Sequence, residues 1–271
     1  MTDLNFIEVN GVRTAYRFDG PADGLAEGQP DAPVLMLSNS LMSTHRMWDP
    51  QITAFTRKHR VLRYDTRGHG SSQTTPGHYS IELLAEDAAS LIDNVVGGPV
   101  HFLGLSMGGM IGQRLAVLRP DLVDRLVLCD TASIMPTPDM WNGRISVAEQ
   151  EGLKALAGAT IKRWFTEPFI NASPAAIGFV ERMIHDTDAP GYVACAKAIR
   201  DMDQTHILGD IKARTLVLIG ALDPACTPQQ GEVLHANIPD AQKVTIQDAA
   251  HLTNIEKPIE FNEAVLSFLA E

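Results

Sequence analysis

The sequence predicts an α/β fold: a mostly parallel central sheet with helices on both faces and a helical cap inserted after the sixth strand. Three observations carry that expectation. Short apolar runs of strand length alternate with segments of helical periodicity, a pattern that builds a parallel sheet buried on both faces. The alternation breaks off near residue 131, gives way to helix-like sequence, and resumes near residue 215. A chain of 271 residues that is 45% hydrophobic has enough apolar material for one large packed interior.

Taken in order, "FIEVN" and "VRTAYRF" flank Asn10-Gly11, a dipeptide suited to a two-residue hairpin, so the chain should open with two antiparallel strands. A Gly/Pro-rich polar stretch at 20–33 separates them from the apolar runs "VLMLSN" (34–39), "VLRYD" (61–65), "VHFLGL" (100–105) and "RLVLCD" (125–130), which have the character of buried strands. Between these lie three helix-period segments: "MWDPQITAFTRKH", "SIELLAEDAASLIDNVV" with Ser80 as N-cap, and "MGGMIGQRLAVLR", stopped by Pro120. The last two strands are expected at "TLVLIG" (215–220) and "KVTIQD" (243–248), with a final helix from about Pro258. Within 133–208, "SVAEQEGLKALAGATIKRWF" is expected to open a helix, because Ser146 and Glu149 have capping-box spacing; Pro168, Pro174 and Pro190 should break later segments. The expected division is therefore a core of residues 1–132 and 209–271 and a helical cap of residues 133–208, placed to cover strand ends where open α/β sheets bind ligands.

Composition excludes several classes. Lys and Arg number 22 against 33 Asp and Glu, a formal net charge of -11 with no basic tract to follow a phosphate backbone, so nucleic acid is not an expected partner. No apolar run approaches the ~18 residues of a membrane span, and the first residues lack a basic and then apolar leader, so no membrane partner is expected either. Three cysteines, Cys129, Cys195 and Cys226, form neither a disulfide framework nor a zinc pattern and fit a reducing cytoplasm. Neither metal nor cofactor is called for, as no H-E-x-x-H or acidic cluster is present.

The chemistry concentrates in "FLGLSMGGMIG" (102–112). Gly104, Ser106 and Gly108 form a G-x-S-x-G motif at a strand end and helix start, the context of a nucleophile elbow. A serine hydroxyl needs a base within hydrogen-bond reach and the base needs an orienting carboxylate. Asp223 in "LVLIGALDPACTP" and His251 in "AAHLTNIEKP" follow in the order serine, acid, histidine, each on a loop just past a strand; His185, His206 and His235 fall in the cap or on helices. The oxyanion of acyl transfer would take the backbone N–H of Met107 and of Leu41, the latter in the loop "LSNSLMSTHRMW". Gly104 and Gly108 are expected to permit the strained turn and close packing, and Gly109 to let the helix lie against a neighbouring strand.

These motifs resemble the α/β hydrolases and, within them, the 3-oxoadipate enol-lactonases of aromatic-compound catabolism. The resemblance runs through "LSNSLMSTHRMWDPQ", "HRVLRYDTRGHGSS", "HFLGLSMGGMIGQ", "RLVLCDTAS" and "AAHLTNIEKP". It implies hydrolysis of an enol-lactone to a 3-oxo dicarboxylate by Ser106, Asp223 and His251. Many relatives carry His-Gly where this chain has Asn39 and Ser40; losing the glycine should make the loop less permissive, with the two side chains steadying a turn.

A carboxylated lactone should meet an arginine. Arg144 beside Trp141 in "DMWNGR" is the cap residue expected there, with Arg67 and Arg163 behind it; Arg67 and His69 in "DTRGHG" suit bracing of a turn better than contact with substrate, and Trp141 and Trp164 suit packing of cap on core. The same triad would serve a carboxylesterase or neutral-lactone hydrolase, a carbon-carbon hydrolase or a cofactor-free perhydrolase, and the fold also serves non-catalytic ligand receptors. The partner expected is a small-molecule lactone or ester; whether the chain forms a homo-oligomer is left open.

Overall fold

The computed structural model describes residues 4–20, 32–135 and 137–271. The hairpin forms as expected: β1 (Asn5–Val9) pairs antiparallel with β2 (Val12–Asp19), and Asn10 and Gly11 both take positive φ (47° and 70°), the combination a type I′ turn requires. Apart from its ends, the Gly/Pro-rich stretch at 20–33 lies outside the described residues. Then come β3 (Val34–Ser38), β4 (Arg60–Tyr64), β5 (Val100–Leu105), β6 (Val123–Cys129), β7 (Arg214–Gly220) and β8 (Gln242–Ile246). They form one sheet in the order β1-β2-β4-β3-β5-β6-β7-β8, parallel from β4 to β8 and antiparallel where β2 meets β1 and β4. Every residue of the central strand β5 is buried, whereas the edge strand β8 alternates toward solvent, as a twice-covered centre and a half-exposed edge require.

Helices α2 (Ile81–Val95), α3 (Met107–Leu118) and α9 (Pro228–Asn237) pack on one face; α1 (Ile52–Phe55) and α11 (Pro258–Leu269) pack on the other, the single turn α10 (Thr253–Glu256) directly preceding α11. Ser80 caps α2 by accepting from the Leu83 N–H at 3.1 Å. Thr227 and Gln230 make the reciprocal capping box of α9, with Pro228 at its first turn. The segment "MWDPQITAFTRKH" is tighter than expected: His45–Gln51 winds as a 3₁₀ helix containing Pro50, and only Ile52–Phe55 continues as α-helix.

Between β6 and β7 lie α4 (Pro138–Glu151), α5 (Lys154–Trp164), α6 (Glu167–Ala172), α7 (Pro174–Asp186) and α8 (Ala189–Asp201), followed by a 3₁₀ turn at Thr205–Asp210. The expected helix start at Ser146 is corrected. Pro138 and Asp139 begin α4 two turns earlier, and Ser146 sits inside it, its hydroxyl accepting from Gln150 Nε2 at 2.9 Å. The helix stops at Gly152, whose φ of 78° a side chain would strain. Pro168, Pro174 and Pro190 stand in the first turns of α6, α7 and α8, where the missing N–H costs nothing, so they start helices. Among the described residues no helix is long and apolar enough to cross a membrane.

Candidate active site

The strand order reverses between β3 and β5, and open α/β sheets bind ligands outside the carboxyl ends of the strands at such a switch. Register aligns those ends: Ser38 lies beside Gly104, Leu105 beside Cys129, and Cys129 beside Leu218. The loops that follow β3, β5, β7 and β8 carry Leu41, Ser106, Asp223 and His251. Ser106 and His251 line one cavity of about 100 Å³ together with Ser40, Leu41, Trp141, Arg144, Arg163, Trp164 and Cys226.

Ser106 adopts φ 56° and ψ -116°, a conformation costly for a residue with a Cβ. Three contacts hold it: its N–H donates to Cys129 O at 2.9 Å, and its carbonyl accepts from Met110 N at 3.0 Å and from Thr131 Oγ1 at 2.7 Å. The strain therefore sits on the serine, while Gly104 and Gly108 both keep negative φ. Their part is close approach: a methyl on Gly104 would overlap the Gly108 carbonyl, and one on Gly108 would overlap the Ser38 carbonyl. Gly109 faces Thr131, in the loop past β6, at 2.6 Å from a would-be Cβ to Cγ2; its neighbour is thus the residue that pins the serine carbonyl.

Asp223 Oδ2 meets His251 Nδ1 at 2.7 Å, both residues being buried. The other carboxylate oxygen accepts from Ala225 N at 2.7 Å and Cys226 N at 3.1 Å, so the loop's own backbone aims the acid. With its proton on Nδ1 toward the carboxylate, His251 presents a free Nε2 lone pair, the form a general base needs. The cap holds the histidine loop: Trp164 O accepts from His251 N and Leu252 N, both at 3.1 Å. Glu256 adds a second tie, one oxygen accepting from Thr166 N at 3.0 Å and Oγ1 at 2.5 Å, the other from Ala250 N at 2.8 Å.

A second buried carboxyl, Asp130, ends β6 beside this pair. It accepts from Gly220 N at 2.7 Å and Thr253 Oγ1 at 2.5 Å, joining the acid strand to the histidine loop. Burial first, and the Asp223 carboxylate second, push its pKa well above the ordinary carboxyl value. The Cys226 thiol beside Ser106 is likewise pushed up, by burial first and then by Asp223, and stays a neutral thiol.

The N–H groups of Leu41 and Met107 donate to no protein acceptor among the described residues, and Met107 opens α3, whose positive end favours an anion. The Leu41 loop is braced from three sides. Asn39 donates to Tyr64 O at 2.7 Å and accepts from Trp48 Nε1 at 2.9 Å; Met42 N donates to His69 Nε2 at 3.1 Å; Ser43 Oγ donates to Ser40 O at 2.7 Å. Burial lowers the His69 pKa, keeping the neutral acceptor form that Met42 uses. The expected effect of losing the relatives' glycine is corrected: Ser40 keeps a negative φ, and the positive φ of this loop (60°) falls on Met42. Asn39 steadies the loop as expected. Ser40 does so only through its backbone, because its hydroxyl is buried with no partner.

Of the arginines, Arg144 and Arg163 face the cavity and Arg67 does not, a correction to its place among the substrate-binding residues. Arg67 donates to both Asp87 oxygens (2.7 and 2.6 Å), to Thr75 Oγ1 at 2.8 Å and to Asn10 O at 2.9 Å, so its donors are spent on bracing the turn after β4. Neither Arg144 nor Arg163 has an acidic partner among the described residues. Arg144 stacks over Trp141 at 5.0 Å and reaches Met42 Sδ at 3.8 Å. Burial, then the charge of Arg144, pulls the Arg163 pKa below its usual range. The Trp141 indole N–H is buried without an acceptor. The lining of the cavity thus holds three hydrogen-bond donor groups and two positive charges with no acidic partner among the described residues. Among the described residues no group of three or more His, Cys, Asp or Glu is placed to hold a metal ion.

Sequence reasoning placed Ser40 in the oxyanion loop without foreseeing its unpartnered hydroxyl, and it missed Cys226, Asp130 and Glu256 beside the site. Of these, Asp130 carried the one available signal, a carboxyl at a strand end, and Cys226 and Glu256 carried none.

Comparisons with known proteins agree with this architecture. 3-Oxoadipate enol-lactonase 2 of Acinetobacter baylyi is 37% identical over 241 residues, covering 88% of this chain and 89% of that protein. The crystal structure of the enol-lactonase from Burkholderia xenovorans LB400 superposes with a TM-score of 0.94 at 39% identity, covering 98% of this chain and all of that one. A thermophilic esterase from Thermogutta terrifontis, solved with malate bound, superposes at 0.88 with 29% identity over 99% of this chain and 98% of its own. The family defined by the alpha/beta hydrolase fold matches residues 33–258. With that match across most of its length, and with its eight-stranded sheet in place, the chain belongs to the α/β-hydrolase family.

Proposed function

We propose that the chain is a serine hydrolase that opens a small carboxylated enol-lactone, 3-oxoadipate enol-lactone being the substrate that fits best. The observation that carries the reading is the pair of unpaired arginines, Arg144 and Arg163, facing the cavity that Ser106 and His251 line. Two cations with no protein carboxylate beside them favour a ligand that brings its own. The enol-lactonases among its relatives, and the esterase crystallised with malate, support an anionic ligand.

In this reading Ser106 Oγ attacks the lactone carbonyl as His251 Nε2 takes its proton, with Asp223 stabilising the imidazolium through the 2.7 Å contact at Nδ1. Negative charge on the carbonyl oxygen falls to the N–H groups of Leu41 and Met107. The C–O bond of the ring breaks, the enol oxygen leaves with the proton held by His251, and the freed enol tautomerises to a ketone. Water, deprotonated by the same imidazole, then releases the acyl group from Ser106 as a carboxylate. The carboxylate already on the substrate docks at Arg144 and Arg163, holding the lactone carbonyl over the serine.

The test follows enol-lactone absorbance beside neutral γ-lactones and aryl acetates. The carboxylated lactone should be favoured in kcat/KM by at least about tenfold, in line with a charge-assisted contact, and Ser106→Ala should abolish turnover of every substrate. Equal or better turnover of the neutral esters would replace the lactonase reading with a general carboxylesterase.

A further inference from the structure

Resting on the acyl-transfer reading above, we propose that the Ser40 hydroxyl is a third donor to the oxyanion, acting beside the N–H groups of Leu41 and Met107. Ser40 lines the same cavity as Ser106 and His251, and only 1% of it is exposed. Its Oγ is buried and makes no hydrogen bond to the protein. An unpartnered hydroxyl in a buried wall carries a desolvation penalty that glycine or alanine would avoid. The penalty is recovered when a ligand atom supplies the missing partner.

Three details point to the oxyanion as that partner. Ser40 directly precedes Leu41, so its Oγ and the Leu41 N–H are four covalent bonds apart and one oxygen atom can accept from both. The Ser40 backbone is fixed on each side, its N–H on Met47 Sδ at 3.3 Å and its carbonyl under Ser43 Oγ at 2.7 Å, which leaves only rotation about χ1 to aim the hydroxyl. Met47, whose Sδ accepts the Ser40 N–H and lies 3.0 Å from Ser43 Oγ, is itself fully buried, so the loop meets the reacting carbonyl already organised. The hydroxyl donates a hydrogen bond and keeps its proton; no bond is made or broken at Ser40. As charge builds on the carbonyl oxygen the contact tightens, and it relaxes when the acyl-enzyme collapses. A hydroxyl that strengthens its contact as charge develops lowers the barrier without adding to ground-state binding.

The experiment compares the wild type with Ser40→Ala and Ser40→Gly on a neutral aryl acetate and on the carboxylated enol-lactone. It also measures the affinity of a trifluoromethyl ketone, which forms a hemiketal oxyanion with the serine, and of the dicarboxylate product, which does not. Both variants should lose about 10- to 100-fold in kcat on both substrates with KM changed by less than about twofold, somewhat below the effect of removing a principal oxyanion donor. Trifluoromethyl ketone affinity should fall by the same factor, product affinity should hold, and the melting temperature should stay level or rise once the orphan hydroxyl is gone. Wild-type kcat in Ser40→Ala would overturn the proposal, as would a loss confined to KM for the carboxylated lactone, which would make Ser40 a ground-state contact. Ser106→Ala runs beside them. If it keeps turnover the acyl-transfer reading falls; if it loses turnover while Ser40→Ala does not, only the Ser40 assignment falls.

Discussion

Replacing the two cavity arginines separates recognition from stability, because turnover of the carboxylated lactone should fall while the melting temperature stays nearly level. A hydrogen bond to a charged group is worth about 1.5 to 3 kcal/mol, so Arg144→Ala or Arg163→Ala should cut kcat/KM for the carboxylated lactone by about 10- to 100-fold at 1.4 kcal/mol per decade. The neutral aryl acetate should be spared, since it brings no charge to the cap. Without ligand the two guanidinium groups repel, and that repulsion is one cause of the lowered Arg163 pKa. Removing Arg144 relieves it but gives up the stacking over Trp141, worth about 0.5 to 1 kcal/mol. The two terms oppose each other, so the melting temperature should move by no more than about 4 °C. Steady-state kinetics on both substrates and a thermal melt of each variant give all the numbers needed. In the double variant the lactone losses should fall short of additive, because two arginines on one carboxylate share its oxygens. Equal losses on the neutral ester, or a melting drop beyond that range, would refute the anion-docking argument and make these residues structural.

Three further outcomes follow from the packing. Gly109→Ala forces its methyl against Thr131 at 2.6 Å, and Thr131 holds the Ser106 carbonyl, so the variant should lose about 1 to 3 kcal/mol of stability and also kcat; full activity in a destabilised Gly109→Ala would contradict that coupling. His59 is buried against His101, and its pKa is lowered from 6.5 to about 4, by burial above all. Below pH 6.5 the unfolded chain takes up a proton the folded one refuses, so stability present above that pH is lost as pH falls toward 4, by at most about 3 kcal/mol; denaturant midpoints of His59→Gln should fall less over that window, and parallel curves would remove the assignment. Asp130 has the opposite sign: its raised pKa means the folded state keeps the proton, so its contribution is full below the ordinary carboxyl range and is lost as pH rises through the raised value. Asp130→Asn, whose amide is neutral at every pH, should flatten that decline in urea midpoints measured from pH 4 upward; an unchanged slope would show that Asp130 titrates normally.

What could be read ahead of the structure, and what could not, divides along a physical line. The strands were legible because a sheet buried on both faces demands continuous apolar runs, and "VHFLGL" satisfies that demand by itself. Ser106, Asp223 and His251 were legible as residue types at strand ends, and the 2.7 Å contact between the latter two joins loops that the register of β7 and β8 makes neighbours. Ser146 misled because capping-box spacing is a local signal, and Pro138 with Asp139 offered a competing helix start eight residues earlier. Arg67 had two readings in the sequence, bracing ahead of substrate contact, because an arginine's role depends on where its donors end: here on Asp87, twenty residues away, and on Thr75 and the Asn10 carbonyl.

Asp130 and Asp223 make the distinction sharpest. Both are aspartates just past parallel strands, and nothing local separates them. Asp130 spends its oxygens on Gly220 N and Thr253 Oγ1, and Asp223 gives one of its own to His251. Burial then makes them unequal: beside Asp223 a second buried negative charge is expensive, and it is the pKa of Asp130, which has no imidazole partner, that is pushed well above the ordinary carboxyl value. Its two hydrogen bonds still tie the acid strand to the histidine loop. The same logic governs Ser40, whose significance lies in a hydrogen bond it does not make, and an absent partner leaves no trace in a sequence.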